Sequence, residues 1–404
     1  MTRILFLGDT AGTGFGTVTR DLGAALLARG EDVRFLSLNE GPDDEADGPF
    51  VGRVAVLGLP DGWLAASETT ARIEGMFTGG LFADGWTPEA AIVLGDMGSL
   101  KVSPVLGLIP PGFPVHHYVP IEGTWLPPAW GAIWQRIHPV AMCEFGADEI
   151  AKVAGARPPV VYHGVDTETF FPVSPERRIV MPGAHAITVL RSKADCRRFL
   201  GWPEEAFILY RADRHMPRKD YPALFRAVAP FLAAHGEAML LVHALIRDQG
   251  GDFMDDVSHF GPLASRIGFS GIGGSADRRL LNVMYNAADL YVSTSAEGFG
   301  LTIAESLAAG TPAVAMDYSS VTEVVGPGGL LVPPANPVDN IYSYFWAHVD
   351  EGRFGAAIEH LYRTRNELAL LGLRGREHVR ASFRWDTAAE QFSAIVAQQE
   401  AVAA

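Results

Sequence analysis

Cysteine is scarce in this chain, which carries only Cys143 and Cys196 among its 404 residues. Two cysteines cannot build the disulfide framework of a small secreted domain, and their spacing is not that of a structural zinc site. The composition therefore favours a reducing compartment, and we expect a cytoplasmic protein.

Long apolar runs are also missing. A membrane-spanning helix needs about 20 consecutive apolar residues, whereas the longest apolar run, Met239–Ile246, is interrupted by His243. The N-terminus has one basic residue, Arg3, before a short apolar run that ends at Gly8, a pattern that predicts a buried strand and not a signal peptide. We expect no transmembrane segment.

Positive charge is in deficit, because 32 Lys and Arg face 47 Asp and Glu, for a formal net charge of −15. Nucleic-acid binding through phosphates needs a basic surface. The charge therefore argues against a general nucleic-acid binder, and it also disfavours non-specific adhesion to anionic lipid.

What the sequence does contain is a strand–helix–strand pattern at its N-terminus. Residues 3–8 predict a strand and residues 9–16 a glycine-rich loop. A helix is predicted from Val18 to Arg29, closed by Gly30 as a C-cap, and Val33–Ser37 is the next strand. This order indicates a βαβ unit and hence a parallel sheet.

Further apolar runs continue the pattern and form two series. The first series has strands predicted at Ala90–Leu94, Pro114–Val119, Pro139–Met142 and Val160–Tyr162. The second has strands predicted at Phe207–Tyr210, Met239–His243, Leu290–Ser293 and Pro312–Ala315. Several runs end in Gly or a polar residue, as strands do where open α/β sheets bind ligands.

Two such series in a chain of this length predict an α/β protein with two Rossmann-like doubly wound domains, because one core rarely grows past ~250–300 residues. We expect an N-terminal domain over residues 1–172, joined by a C-terminal helix over 385–404, and a second domain over 173–384. The ligand cleft is expected between the two domains.

The segment Ser295–Glu305 carries the strongest chemical signal. It follows a predicted strand and opens a helix, whose N-terminus suits a phosphate. Gly298 and Gly300 allow backbone N–H groups to turn toward a ligand. Two glutamates, Glu297 and Glu305, frame these glycines. A strand–helix turn with two solvated glutamates is the alternative, and it is the less favoured one.

This segment resembles the E-x7-E motif of retaining glycosyltransferases of family 4, in the glycogen-synthase-like superfamily. Other stretches follow in the family's order. Gly12–Thr17 resembles its glycine-rich first loop, His163–Asp166 with Phe170–Pro172 the end of its N-domain, Arg214–Lys219 its R-x4-K phosphate-binding segment, and Ala309–Val314 its A-G-x-P-V-V strand. The resemblance covers most of residues 1–390.

The resemblance implies a GT-B architecture and transfer of a sugar from a nucleoside-diphosphate sugar, with no cofactor or metal required. It implies that Arg214 and Lys219 neutralise the diphosphate, that Glu297 contacts the donor sugar and that Glu305 binds the ribose. The remaining implied donor-binding residues are Phe299, Gly300, Leu301 and Thr302, with Gly14, Gly16 and Thr17 in the N-terminal domain. The acceptor stays open: a carbohydrate, a protein, a lipid or a modified base.

The chemistry of Arg214 and Lys219 supports the same role. A diphosphate leaving group carries negative charge, and charge-assisted hydrogen bonds to it are worth about 1.5–3 kcal/mol each. Taken alone, these residues would be a solvated basic turn, because Arg218 lies between them. Together with the glutamate motif they predict a phosphate site.

In the N-terminal domain, the family has a histidine after a central strand that contacts the transferred sugar. Here that strand carries His116 and His117 and is followed by Glu122, which stands in the family histidine's place if the strand ends at Pro120. We take Glu122 and His117 as catalytic candidates. A histidine within a strand is also a common core residue, and both interpretations stay open.

Two other functions compete with glycosyl transfer. A dinucleotide-dependent oxidoreductase would carry G-x-G-x-x-G, but Gly12, Gly14 and Gly16 are spaced by two, so that fingerprint fails. A non-catalytic protein that binds a nucleotide sugar or a carbohydrate on the same fold remains the alternative, because a fold does not determine a function.

Overall fold

A computed structural model of the chain describes residues 1–10, 12–37, 49–56, 84–97, 109–183, 186–270, 277–339 and 344–403, together with the separate residues 75, 77, 78, 80 and 82. The chain divides into two compact units. Unit 1 comprises Met1–Gly164, Ile341–Tyr344 and Arg384–Ala404, and unit 2 comprises Val165–Asn340 and Phe345–Phe383.

Unit 1 is built on a six-stranded parallel sheet in the order β3-β2-β1-β4-β5-β6. Its strands are β1 Arg3–Gly8, β2 Asp32–Ser37, β3 Val54–Val56, β4 Ala90–Leu94, β5 Val115–Val119 and β6 His138–Ala141. Every residue of β4 and β5 is buried, as expected when both faces of a parallel sheet are covered.

The described helices of unit 1 are α1 Gly14–Ala28, α2 Pro128–Trp134, α3 Glu144–Ala154 and the C-terminal helix Trp385–Ala403, which packs against α1. Helix α1 begins earlier than the predicted Val18, because the Thr13 hydroxyl caps it by accepting from the Gly16 N–H at 3.0 Å. The last three residues of the predicted glycine-rich loop, 14–16, therefore lie in the first turn of a helix.

Unit 2 has a second six-stranded parallel sheet, in the order β13-β10-β9-β14-β15-β16. Three separate two-stranded antiparallel sheets, which were not predicted, lie outside it: β7 with β8, β11 with β12 and β17 with β18. The strands are β7 Ile179–Pro182, β8 Ile187–Leu190, β9 Phe207–Ala212, β10 Ala238–His243, β11 Arg247–Asp248, β12 Gly251–Asp252, β13 Ile267–Phe269, β14 Leu290–Ser293, β15 Ala313–Met316, β16 Gly329–Val332, β17 Pro334–Asp339 and β18 Phe345–Val349.

The helices of unit 2 contribute to more than one core: Tyr221–Ala234, Phe253–Ser258 and Glu351–Arg363 pack in the large one, and Lys193–Leu200 and Arg278–Ala287 in a smaller one. They are α4 Lys193–Leu200, α5 Tyr221–Ala234, α6 Phe253–Ser258, α7 Arg278–Ala287, α8 Leu301–Ala308, α9 Val321–Val325, α10 Glu351–Arg363 and α11 Leu368–Ser382. Short 3₁₀ turns occupy Pro217–Lys219, Gly261–Arg266, Gly326–Gly328 and Arg365–Glu367.

The two sheets confirm the predicted α/β class with two Rossmann-like, doubly wound halves. One strand prediction was wrong, because Val160–Tyr162 forms only an isolated bridge between Val160 and Ala141. The unit boundary follows Gly164, before the predicted end at Pro172. The segment after it is tied to unit 2, since the Phe171 N–H donates to the side chain of Asn282 at 3.2 Å.

Candidate functional site

The order of the strands in unit 2 marks one edge of the sheet as a ligand site. From β9 the chain continues to β10 and β13 on one side, whereas β14 is followed by β15 and β16 on the other. The carboxyl ends of β9 and β14 therefore flank the point where the winding reverses, which is where open α/β sheets bind ligands. The predicted donor residues of unit 2 follow these two strands.

A buried charge cluster occupies this place. The Lys219 ammonium lies 2.6 Å from Glu297 Oε1 and 2.7 Å from Asp213 Oδ1. Arg218 Nη1 lies 3.1 Å from Glu297 Oε2, and the Ser295 hydroxyl donates to Oε1 at 2.7 Å. The predicted pair Lys219 and Glu297 is thus brought into direct contact, although 78 residues separate the two in sequence.

The cluster keeps Glu297 ionised. Burial alone would favour the neutral carboxylic acid. The positive charges of Lys219 and Arg218 and the hydrogen bonds from Lys219 and Ser295 outweigh that effect, and they lower the pKa of Glu297 to about 2. The carboxylate is therefore a permanent hydrogen-bond acceptor at any physiological pH.

The backbone around Glu297 is held from the loop after β15. The Ser319 hydroxyl accepts from the Glu297 N–H at 2.9 Å. The Ser320 hydroxyl lies 2.7 Å from the Glu297 carbonyl oxygen and 2.8 Å from that of Phe299. Ser319 adopts φ 57°, a conformation that costs energy outside glycine. The loop is thus built to fix Glu297.

Helix α8 begins directly after this loop. Its N-cap, Gly300, has φ 97°, a left-handed conformation that glycine adopts without penalty. In its first turn, the Thr302 hydroxyl lies 2.8 Å from that of Tyr291, whose own proton goes to the Ala212 carbonyl at 2.9 Å. One turn on, the buried Glu305 accepts from the Tyr285 hydroxyl at 2.9 Å. Phe299 is buried and Leu301 is half-buried.

Arg214 is placed differently from Lys219. Its Nε and Nη2 lie 2.9 and 3.3 Å from the two oxygens of Asp248, on the hairpin β11–β12. The Arg214 guanidinium lowers the pKa of Asp248. The cation that joins Lys219 on Glu297 is Arg218, which was not predicted as a site residue. The predicted R-x4-K pair is therefore divided between two carboxylate partners.

In unit 1, the predicted residues Gly14, Gly16 and Thr17 form the first turn of α1. The sheet order reverses between β1 and β4, so this turn, which follows β1, starts at the corresponding switch point of unit 1. The Thr13 hydroxyl donates to Asp9 at 2.6 Å, and this bond ties the loop to the end of the strand.

His117 is buried on β5 with both ring nitrogens engaged. Trp134 Nε1 donates to Nδ1 at 3.2 Å, so Nε2 carries the proton and donates to the Gly95 carbonyl at 2.9 Å. Burial lowers the pKa of His117 to about 4, and the ring is neutral at pH 7. His117 is therefore arranged as a core histidine that holds the residue following β4.

Glu122 follows β5 and is buried, with 7% of its surface exposed. Its Oε2 accepts from the Tyr344 hydroxyl at 3.0 Å. The Tyr344 ring packs edge-on against Trp130, with ring centroids 5.6 Å apart, and Trp130 packs edge-on against Trp134. A carboxylate and a group of aromatic side chains thus meet at the end of β5.

Several residues of these sites were not predicted. Arg211 and Asp213 carry charge at the end of an otherwise apolar strand, and that break in the apolar pattern is a signal that could have singled them out. Ser319, Ser320, Tyr285 and Asp248 carry no such signal, and Ser295 begins the glutamate motif but was given no role of its own. In the described part of the chain, no group of three or more His, Cys, Asp or Glu could hold a metal ion. None of the helices described here is both long and apolar enough to cross a membrane.

Residues 209–343 match the model of the family described as "Glycosyl transferases group 1". The chain is 31% identical over 216 residues to the D-inositol 3-phosphate glycosyltransferase of Nocardioides sp. This match covers 50% of this chain and 43% of the relative. It is 24% identical over 239 residues to the GDP-mannose-dependent monoacylated alpha-(1-6)-phosphatidylinositol monomannoside mannosyltransferase of Corynebacterium glutamicum. This second match covers 58% of this chain and 54% of the relative. The chain spans about half the length of the curated relatives it matches.

Solved structures share the whole fold. Sucrose-phosphate synthase from Thermosynechococcus elongatus has a TM-score of 0.74 at 21% identity, with 100% of both chains covered. Anabaena HepE in complex with UDP and glucose has a TM-score of 0.70 at 17% identity, with 98% of this chain and 100% of HepE covered. These neighbours are GT-B glycosyltransferases, and the likeness confirms the predicted GT-B fold.

Proposed function

We propose that this chain is a retaining glycosyltransferase that uses a nucleoside-diphosphate sugar, and the match of residues 209–343 to the glycosyl transferases group 1 model supports the proposal. The observation that carries the proposal is the buried Lys219–Glu297 contact at 2.6 Å, together with Arg218. It joins the two sequence motifs at the ends of β9 and β14, where a ligand of this fold binds.

In the proposed donor site, Lys219, Arg218 and Arg214 face the diphosphate. The bond between the anomeric carbon and the diphosphate oxygen breaks during transfer, and negative charge grows on the leaving group. Cations already in position stabilise that charge more in the transition state than in the ground state, so they raise the rate. Arg214 reaches the ligand when it leaves Asp248.

The remaining donor contacts are proposed around α8. Glu297 accepts hydrogen bonds from hydroxyls of the donor sugar, and Glu305 accepts them from the ribose. The backbone N–H groups of Phe299, Gly300 and Leu301 bind phosphate or sugar oxygens, because a helix N-terminus favours negative charge. Thr302, held by Tyr291, fixes the first turn of the helix.

Unit 1 is proposed to serve the acceptor and the reacting centre. The turn Gly14–Thr17 lets the backbone approach the sugar, and Glu122 contacts it from the end of β5. His117 supports this region by holding the Gly95 carbonyl. The names of the curated relatives suggest inositol phosphate, or a phosphatidylinositol glycolipid, as the acceptor class.

The proposed mechanism keeps the configuration of the sugar. The acceptor oxygen attacks on the face from which the diphosphate departs, and the departing phosphate oxygen takes the acceptor proton. Glu297 is not assigned as a nucleophile, because its carboxylate is engaged by Lys219, Arg218 and Ser295.

A thermal-shift screen against UDP, GDP, ADP and NAD, with and without Mg²⁺, tests the donor site. A ligand at a hundredfold excess over its Kd stabilises the folded state by about 2.7 kcal/mol. We expect one nucleoside diphosphate to raise Tm and Arg214→Ala to reduce the shift. Arg198→Ala is the matched control, because both arginine side chains are 56% exposed and paired with carboxylates. A shift with NAD alone contradicts the proposal.

Turnover separates the enzyme from a binding protein. We expect the purified chain to hydrolyse the matching nucleotide sugar slowly and to transfer the sugar to myo-inositol or inositol phosphate. The anomeric proton signal of the product, followed by NMR, tests retention. Binding of the nucleotide sugar without hydrolysis or transfer, across a panel of polyol and sugar acceptors, would instead support a non-catalytic binding protein.

A further inference from the structure

A fully buried arginine lies beneath the charge cluster and has no part in the function proposed above. Arg211 exposes 0% of its surface, so it makes its contacts inside unit 2. It stands on β9, next to β14, and the ladder between these strands pairs Leu209 with Leu290 and Tyr210 with Tyr291 only. Arg211 is the first residue of β9 past this ladder, and its side chain extends to the chain that follows β14.

The guanidinium reaches two consecutive hydroxyls after β14. Arg211 Nη1 donates to Thr294 Oγ1 at 2.7 Å, and Nη2 donates to Ser295 Oγ at 3.0 Å. Nη2 also lies 3.4 Å from Asp213 Oδ2. The face of the guanidinium packs on the Tyr221 ring, with Cζ 4.5 Å from its centroid. The side chain is thus fixed by both its edge and its face.

These contacts determine what Ser295 does. A serine hydroxyl has one proton and two lone pairs. Because Arg211 can only donate, it occupies a lone pair of Ser295 Oγ and turns the hydroxyl proton toward Glu297 Oε1, 2.7 Å away. Glu297 therefore receives an oriented hydrogen bond that a freely rotating hydroxyl would not guarantee.

The same arginine also acts on the other side of the cluster. Thr294 Oγ1, which accepts from Arg211, lies 3.3 Å from the Asp220 carbonyl and donates to it. Asp213 binds Arg211 through one oxygen and Lys219 through the other, at 2.7 Å. Arg211 is therefore linked to Glu297 through Ser295 and to Lys219 through Asp213, with one intermediate residue in each case.

We propose that Arg211 is a positioning residue that sets the geometry between Glu297 and Lys219 through Ser295 and Asp213. This proposal rests on the proposed function, because the geometry between Glu297 and Lys219 matters only if these two side chains act on a donor. Arg211 itself touches no substrate in this role. Burying a charged guanidinium is costly, and the contacts that offset this cost go to Thr294, Ser295 and Asp213, the residues through which Arg211 reaches the cluster.

A double-mutant cycle tests the proposal, with donor hydrolysis and the Kd for the matching nucleoside diphosphate as readouts. Arg211→Met and Ser295→Ala should each lower kcat about tenfold or more, the loss expected when a hydrogen bond to a charged group is removed. If Arg211 acts through Ser295, the double variant should be no slower than the slower single variant. Arg211→Lys should recover part of the rate, because it restores a donor.

Arg197→Met is the matched control. Arg197 is also buried in unit 2, at 5% exposure, and binds Asp289 at 2.7 Å and the Ala287 carbonyl at 2.9 Å, away from the cluster. We expect it to lower Tm while kcat at 25 °C stays within about twofold of the wild type, since a stability loss alone leaves the folded fraction high.

The outcomes are distinguishable. The positioning role is overturned if the losses multiply in the double variant, or if Arg197→Met is as slow as Arg211→Met. In either case the proposed function still stands as long as the wild-type protein turns over the donor. Wild-type protein that neither binds a nucleoside diphosphate nor hydrolyses any donor overturns both. If Arg211→Met does not fold, the same cycle is run with Arg211→Lys and Ser295→Ala.

Discussion

Replacing Lys219 by methionine removes the ammonium that bridges Glu297 and Asp213 and keeps a side chain of similar length. Breaking a buried ion pair costs about 3–5 kcal/mol, because a charge is left without its partner. Here Glu297 keeps Arg218 at 3.1 Å and Asp213 keeps Arg211 at 3.4 Å. We therefore expect a loss near the lower end, about 3 kcal/mol at pH 7, from the free energy of unfolding.

The pH dependence of that loss has a definite sign. The pKa of Glu297 is lowered to about 2 from 4.5 in the folded chain, so the stability it contributes is present above 4.5 and is lost as the pH falls through about 2. Lys219→Met raises this pKa, because Lys219 is one of the charges that lower it. The difference between variant and wild type should therefore shrink as the pH falls from about 5 to 3.

Urea denaturation at a series of pH values measures the difference, with the unfolding of unit 2 as the transition followed. Lys193→Met is the matched control, because Lys193 binds Asp289 at 2.8 Å but is 48% exposed, and such pairs contribute about 0–1 kcal/mol. A Lys219→Met loss below 1 kcal/mol, or one that is constant from pH 7 to 3, would refute this account of the cluster. If Lys219 also binds the diphosphate, kcat should fall by about 10- to 100-fold.

Three further predictions concern other contacts. Burial lowers the pKa of His163 to about 3 from 6.5, so stability falls as the pH drops below 6.5, and His163→Asn should flatten that slope in thermal unfolding. Gly164→Ala places a Cβ 2.3 Å from the ring and backbone nitrogen of Trp385, and should cost about 1–3 kcal/mol in Tm-derived stability; an unchanged Tm contradicts it. Asp248→Asn releases Arg214 and should tighten nucleoside-diphosphate binding about two- to fivefold in calorimetry, whereas weaker binding would assign Asp248 a direct part in the site.

The sequence predicted the fold class because the strands of a parallel sheet are buried on both faces. Leu290–Ser293 was predicted with the bounds that the structure has, and the segments Phe207–Tyr210 and Met239–His243 fall inside β9 and β10. The hairpin β11–β12 was missed, since two-residue strands leave no periodic pattern to detect.

The sequence by itself determined which motifs this protein carries, because glycine spacing, glutamate spacing and basic residues after a strand are local properties of the chain. Only the tertiary structure decided which of them meet. In the folded chain Lys219 and Arg218 contact Glu297, whereas Arg214 forms an ion pair with Asp248. The tertiary structure also placed Arg211 beneath Ser295. Contacts between the ends of β9 and β14 depend on strand order in the sheet, and strand order is a property of the folded chain.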